Sequence, residues 1–141
     1  MTRPFILDTG PLVALVNKRE QHHEWAKSQV EGISGAMVTC ESVLTEACYL
    51  LRHVHGATAA VMQLVEKLLI EMPFRLAEHA AAISSLMAKY SNVPMSLADA
   101  CLVRMSEMYD DRAILTFNSD FKLYRKHGRR VIATLIPPPL Q

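Results

Sequence analysis

The chain is 141 residues long, near the size at which one hydrophobic core is filled, which excludes separate cofactor and substrate lobes. Half of its residues are apolar, 21% are charged, and only 5 Gly and 7 Pro occur, so neither a disordered chain nor a collagen-like repeat fits. The formal charge of +1 excludes an overall basic footprint, and apolar stretches such as Ala57–Val65 fall short of the roughly 18 residues that cross a bilayer.

In chain order, Phe5-Ile6-Leu7 reads as a buried strand ending on Asp8, and Thr9-Gly10-Pro11 turns the chain into a helix over Leu12–Val16. The pattern predicts a helix over His22–Val30, a break at Gly32–Gly35, and a second strand at Met37-Val38-Thr39. Helices follow over Glu41–Val54 and Ala57–Ile70, then a weak third strand at Phe74-Arg75-Leu76. Glu78–Tyr90 is rich in Ala, Leu and Met and reads as helix, stopped by Asn92-Val93-Pro94. Ser96 opens a helix over Leu97–Met108, and Ala113–Thr116 forms the clearest later strand. A polar turn at Asn118-Ser119-Asp120, a short helix over Phe121–Lys126, a turn at Gly128 and a strand at Val131-Ile132-Ala133 complete the series. Strands alternating with helices imply an α/β domain with a parallel sheet covered on both faces. One domain is expected over residues 1–136, with an extended proline-rich tail over 137–141.

The apolar run after Arg3 is stopped at once by Asp8, unlike a secretory signal, and a cytoplasmic location is expected. Cys40, Cys48 and Cys101 are odd in number, lack CxxC spacing and lie among apolar neighbours. They read as packing residues in a reducing compartment rather than zinc ligands or a disulfide frame.

In open parallel sheets ligands gather beyond the carboxyl ends of the strands, where loops expose polar groups. Asp8 and Asp120 fall at that edge, although each also suits the cap of the helix that follows it. At roughly 100° per residue, Glu46 lies close to Val43 and Leu50 and near Ala47 and Val54, an apolar stripe on which a carboxylate needs a partner or an escape to water. Asp99 shares a face with Leu102 and Val103, while Ser96-Leu97-Ala98-Asp99 has the spacing of a capping box. If these four acids converge they need a counter-charge, because two carboxylates about 4 Å apart repel by about 4 kcal/mol at an effective dielectric of ~20. A donor set of oxygens alone favours Mg²⁺ or Mn²⁺ over zinc, and such an ion suits phosphodiester hydrolysis. Thr9, Thr116, Asn118 and Ser119 stand ready to orient the carboxylates by hydrogen bonds.

These residues resemble the PIN-domain ribonucleases, and within them the small single-domain toxins of bacterial toxin–antitoxin pairs (VapC-like). Phe5-Ile6-Leu7-Asp8-Thr9 is similar to the family's opening strand and first metal-site aspartate, and Leu44-Thr45-Glu46-Ala47 to its helix-borne glutamate. Leu97-Ala98-Asp99-Ala100 is similar to its second aspartate, and the segment Leu115-Thr116-Phe117-Asn118-Ser119-Asp120-Phe121 to its closing acidic turn. The resemblance spans nearly the whole chain. It implies a three-layer α/β/α domain with about five parallel strands, Mg²⁺- or Mn²⁺-dependent endoribonuclease activity, a homodimer, and a small antitoxin protein as partner. Asp8, Glu46, Asp99 and Asp120 would form the catalytic metal cage. Asn118 departs from the acid many members carry at its position, which weakens ligation of a second metal.

Other features have plainer readings. Lys122, Arg125, Lys126, Arg129 and Arg130 form a local basic cluster, either a solvated terminus or a contact for RNA phosphates. His22-His23 and His53-Val54-His55 lack zinc-site spacing and read as surface histidines, Trp25 as a packing residue, and the 8 Met as core filler, with Met62, Met87 and Met95 also suited to a dimer or antitoxin surface. A receiver domain would need paired acids after the first strand and a late lysine, and an aspartate-nucleophile phosphatase a second acid at Gly10; both patterns are missing. A PIN-like module that binds RNA or protein without cutting is the remaining alternative.

Overall fold

A computed structural model describes residues 4–138. The chain runs β1 (Ile6–Leu7), α1 (Thr9–Val16), α2 (His23–Glu31), β2 (Met37–Val38), α3 (Glu41–Leu50), α4 (Ala57–Glu66) and β3 (Ile70–Glu71). It continues through a 3₁₀ turn (Leu76–His79), α5 (Ala80–Lys89), α6 (Leu97–Met108), β4 (Ile114–Leu115), a second 3₁₀ turn (Ser119–Lys122), and the strands β5 (Arg125–Lys126), β6 (Arg130–Val131) and β7 (Thr134–Leu135). Five strands form one sheet in the order β3-β2-β1-β4-β7, and every neighbouring pair is parallel. Helices flank this sheet in an α/β/α arrangement. Among the described residues no helix is long and apolar enough to cross a membrane.

The central strands are apolar on both faces, as burial under two helical layers requires: Ile6, Leu7, Ile114 and Leu115 are all inaccessible to solvent. Leu12 of α1, Val43 of α3, and Leu102 and Met105 of α6 belong to the same core, as do the buried rings of Phe121 and Tyr124. α1 begins at Thr9, three residues earlier than the expected Leu12, with Asp8 as its cap and Pro11 in the first turn, where a missing N–H costs nothing.

The expectations for several elements are corrected. The third strand is Ile70–Glu71, paired with β2, rather than Phe74–Leu76. Leu68 takes a left-handed φ of 60° that ends α4 and swings Ile70 into the sheet, while Pro73 offers no N–H to extend the ladder. The short helix expected over Phe121–Lys126 is half 3₁₀ turn and half hairpin strand, because β5 and β6 pair antiparallel around His127 and Gly128, both at positive φ. The last sheet strand is Thr134–Leu135, beside β4, rather than Val131–Ala133. α3 also stops at Leu50, four residues before the expected end, and Leu50 is 57% exposed instead of facing the core. Of the expected tail, Pro137 and Pro138 follow β7, and residues 139–141 lie outside the described residues.

Candidate active site

The strand order reverses direction between β1 and β4: β2 and β3 lie on one side of β1, β4 and β7 on the other. At such a switch point the loops leaving the two strands part and open a crevice at their carboxyl ends. Asp8 leaves β1 there and Thr116 leaves β4. The Thr116 hydroxyl donates to Asp8 Oδ2 at 2.6 Å, and the backbone N–H of Thr9 donates to Asp8 Oδ1 at 2.7 Å. Thr116 Oγ1 in turn accepts from the Asn118 N–H at 2.9 Å, and Asn118 Oδ1 accepts from the Asp120 N–H at 2.9 Å. A continuous relay therefore runs from the first strand to the 3₁₀ turn that carries Asp120. Gly10 lets the two halves close: a Cβ there would lie 2.8 Å from Cδ2 of Phe117, whose ring also meets His22 and Trp25.

Glu46 is exposed on α3, so the outward reading of its position holds and the buried-stripe reading does not. It is nonetheless drawn toward Asp8, because the Thr9 hydroxyl donates to Glu46 Oε2 at 3.0 Å. Thr9 thus bridges two acids, giving its N–H to one and its hydroxyl to the other. Asp99 is 9% exposed and closes a capping box: Ser96 Oγ accepts from the Asp99 N–H at 3.0 Å, and Asp99 Oδ2 accepts from the Ser96 N–H at 3.2 Å. The Tyr124 hydroxyl donates to the same Oδ2 at 3.4 Å.

Burial sets the electrostatics. Asp8 is 7% exposed, and loss of hydration pushes its carboxyl up from 3.8 to about 6, with the Asp99 and Glu46 charges adding to the rise and the Thr116 and Thr9 hydrogen bonds opposing it. Asp99 is also raised, first by burial and then by Glu46, against the pull of Ser96 and Tyr124. The Tyr124 phenol is raised by burial and by the Asp99, Asp120 and Asp8 charges. Asp8, Glu46 and Asp99 thus act directly on one another, and Asp120 joins them through its charge on Tyr124.

Among the described residues no three His, Cys, Asp or Glu side chains are arranged to hold one metal ion directly. Both Asp8 oxygens and one Asp99 oxygen already accept hydrogen bonds, and uncompensated carboxylates repel. The donor chemistry still fits a hard, hydrated cation. Mg²⁺ keeps several of its waters and is commonly held through only one or two carboxylates, which leaves the remaining acids to act on those waters.

Tyr124 escaped the sequence reading. It is fully buried, edge-on to Tyr90 and Phe121, and only folding brings it to Asp99, 25 residues away in the chain. Ser119 opens the 3₁₀ turn and is exposed, and Asp120 beside it is half-buried. Within the basic cluster, Lys126 differs from an RNA-facing cation: it is 5% exposed and its ammonium lies 2.8 Å from Asp110, which also faces His127 and Arg130. Arg125 turns inward to the carbonyls of Lys122, Leu123 and Tyr124, whereas Lys122 and Arg129 are exposed. His22 and His23 are half-buried rather than at the surface, and His23 Nδ1 lies 2.6 Å from the Ala14 carbonyl, which ties α2 to α1. Trp25 packs against the core, as expected.

Comparison with known proteins adds two findings. The PIN domain model matches residues 5–127 of the sequence. The crystal structure of VapC20 from Mycobacterium tuberculosis, described as a toxin that cleaves the sarcin–ricin loop, superposes with a TM-score of 0.77 at 20% identity, covering 89% of this chain and 98% of that one. No curated protein matches the sequence.

Proposed function

This chain belongs to the PIN domain family, and from that premise we propose that it is a divalent-metal-dependent endoribonuclease serving as the toxin of a toxin–antitoxin pair. The observation that carries the reading is the Thr116–Asp8 hydrogen bond across the β1/β4 crevice, with Glu46, Asp99 and Asp120 close enough to share one electrostatic field. The likeness in fold to a toxin described as cutting RNA supports the choice of substrate class.

A bound Mg²⁺ or Mn²⁺ would supply positive charge and Lewis acidity toward the phosphodiester. Asp8 and Asp99 are the residues that would hold it: they are the most buried of the four acids, so they gain most from a counter-charge. Thr116 and Thr9 keep the Asp8 oxygens pointed into the crevice, and the Ser96–Tyr124 pair leaves Asp99 Oδ1 available. Glu46, exposed and tethered only through Thr9, is placed to orient an attacking water and take its proton. Asp120 adds negative potential at Tyr124, with Asn118 fixing its backbone. Lys122 and Arg129 lie on the exposed side of the same C-terminal region and suit phosphate contacts. A cytoplasmic homodimer inhibited by a small antitoxin completes the proposal.

The test is cleavage of RNA by purified protein with Mn²⁺ or Mg²⁺. Asp8→Asn and Asp99→Asn are expected to abolish cutting while keeping the native circular dichroism spectrum, and cleavage by either variant at the wild-type rate would defeat the assignment. Asn118, whose side-chain oxygen is committed to the Asp120 backbone, favours a second reading, a silent module that grips RNA or protein. Calorimetric titration separates the two, because a silent site takes up no Mn²⁺ and Glu46→Gln changes nothing.

A further inference from the structure

The edge of the sheet that carries the acids also carries a concavity that the proposed reaction leaves unused. β1, β2 and β3 are parallel, so residues 39–42, which leave β2, and residues 72–77, which leave β3, emerge at the carboxyl edge where Asp8 leaves β1. Parts of both segments, with Thr45 of α3 and Cys101 of α6, line a cavity of about 430 Å³, within the usual size of small-ligand pockets and ample for one nucleoside. The helices that bear two of the acids thus also line the cavity: Ser42 and Thr45 stand four residues and one residue before Glu46, and Cys101 stands two after Asp99. The lining divides by chemistry. Met72, Phe74 and Leu76 contribute apolar surface, whereas Glu41, Ser42 and Thr45 contribute oxygens. Glu41 is exposed, and among the described residues its carboxylate has no hydrogen-bond or ion-pair partner. Arg75 is the one cation among the described lining residues. Its link to Glu78 is 3.6 Å long between side chains that are 76% and 63% exposed, a kind of pair that contributes little and is readily exchanged for a phosphate.

We propose that this cavity receives one unpaired guanine of the RNA strand, close to the phosphate that is cut, with Glu41 reading the base. Unstacked bases are recognised through their ring faces and their Watson–Crick edges. Guanine alone among the four bases presents two adjacent N–H donors on that edge, the pattern a carboxylate accepts with both oxygens. Adenine and cytosine set a ring acceptor beside their amino group, which a carboxylate repels, and uracil has a single N–H between two carbonyls. Met72, Phe74 and Leu76 cover the ring, and Arg75 takes a phosphate of the same strand. The inference rests on the reading of the chain as a protein that acts on RNA, and it adds a base preference to that reading.

The test measures binding by the whole chain with EDTA present, so that no strand is cut, using fluorescently labelled uridine pentamers that carry a central guanine or a central adenine. The guanine pentamer is expected to bind at least about fivefold more tightly, as a bidentate contact to one base provides. Glu41→Gln offers one donor and one acceptor in place of two acceptors, and it should erase or invert that ratio. Arg75→Ala should weaken both pentamers alike and lower the salt slope by about 0.7, the share of one phosphate on a single strand. Both side chains are exposed, so neither variant disturbs the core. Equal affinity of the wild-type chain for the two pentamers, no binding of either, or an unchanged ratio in Glu41→Gln overturns the proposal. Incubation of a randomised RNA pool with Mn²⁺ separates it from the nuclease reading. Cutting with no guanine preference beside the cut keeps the nuclease and removes the base site, whereas selective binding without any cutting keeps the base site and removes the nuclease.

Discussion

At Asp8 two demands conflict. The proposed cation site needs an anion, while burial favours the neutral acid and lifts its titration from 3.8 to about 6. A raised carboxyl contributes most to folding below 3.8, and that contribution drains away as the pH climbs to about 6, above which the folded chain carries the cost of a buried charge. Asp8→Asn is therefore expected to stabilise the metal-free protein above pH 6 by about 1–3 kcal/mol, with the gain shrinking as the pH falls toward 4. Thermal melts across that range check it. Added Mn²⁺ should invert the ranking, raising the melting point of the wild-type chain and leaving the variant unmoved. Thr116→Val keeps the shape but removes a donor to Asp8 and an acceptor for the Asn118 N–H, so a loss of about 2 kcal/mol is expected. The same change should move the acid limb of the pH–rate profile upward, since the hydrogen bond that favours the Asp8 anion is gone. Asp8, Thr116 and Asp99 were legible in sequence because strand ends and a capping box announce themselves locally. Tyr124 and the inward turn of Lys126 were not, since each is defined by a partner far along the chain.

The helices carry that local legibility furthest. Two of the six carry a side-chain cap, Asp8 on α1 and Ser96 on α6, and all six overlap stretches that read as helix in the sequence, with errors confined to their ends. The strands are two residues each, too short to leave a pattern of their own, so β3 and β7 are chosen by which segment meets β2 or β4 in register. That is why Ile70 reads as helix in the sequence and the last strand as Val131–Ala133. α6 shows an element and a site sharing one device, since the box that starts the helix also aims Asp99. Ser96→Ala should cost about 1 kcal/mol in denaturant melts, as N-cap losses do. It should leave Mn²⁺ binding nearly unchanged, because Asp99 Oδ2 is held by the Ser96 backbone N–H and the Tyr124 hydroxyl, both of which alanine keeps. A change in stability with unaltered metal affinity would show that capping and orientation are separate tasks.

For the molecule as a whole, the sheet order decides what the acids can do together. Placing β4 beside β1, rather than beyond β3, brings the chain's last third against its first strand and creates the crevice. The C-terminal hairpin then locks that arrangement through Lys126 and Asp110 at the foot of α6, so positive charges near the C-terminus serve architecture before they serve any ligand. Asp110→Asn should accordingly lower the melting temperature with the Asp8 region chemically intact, leaving Mn²⁺ affinity at low temperature unchanged.

The 108-residue separation of Asp8 and Thr116 has a consequence during synthesis. A nascent chain that has not yet extruded β4 holds three of the acids but lacks the strand that orients the first of them. The crevice therefore stays unassembled until β4 has emerged and joined β1, so whatever chemistry it supports arises only once these two distant segments have met.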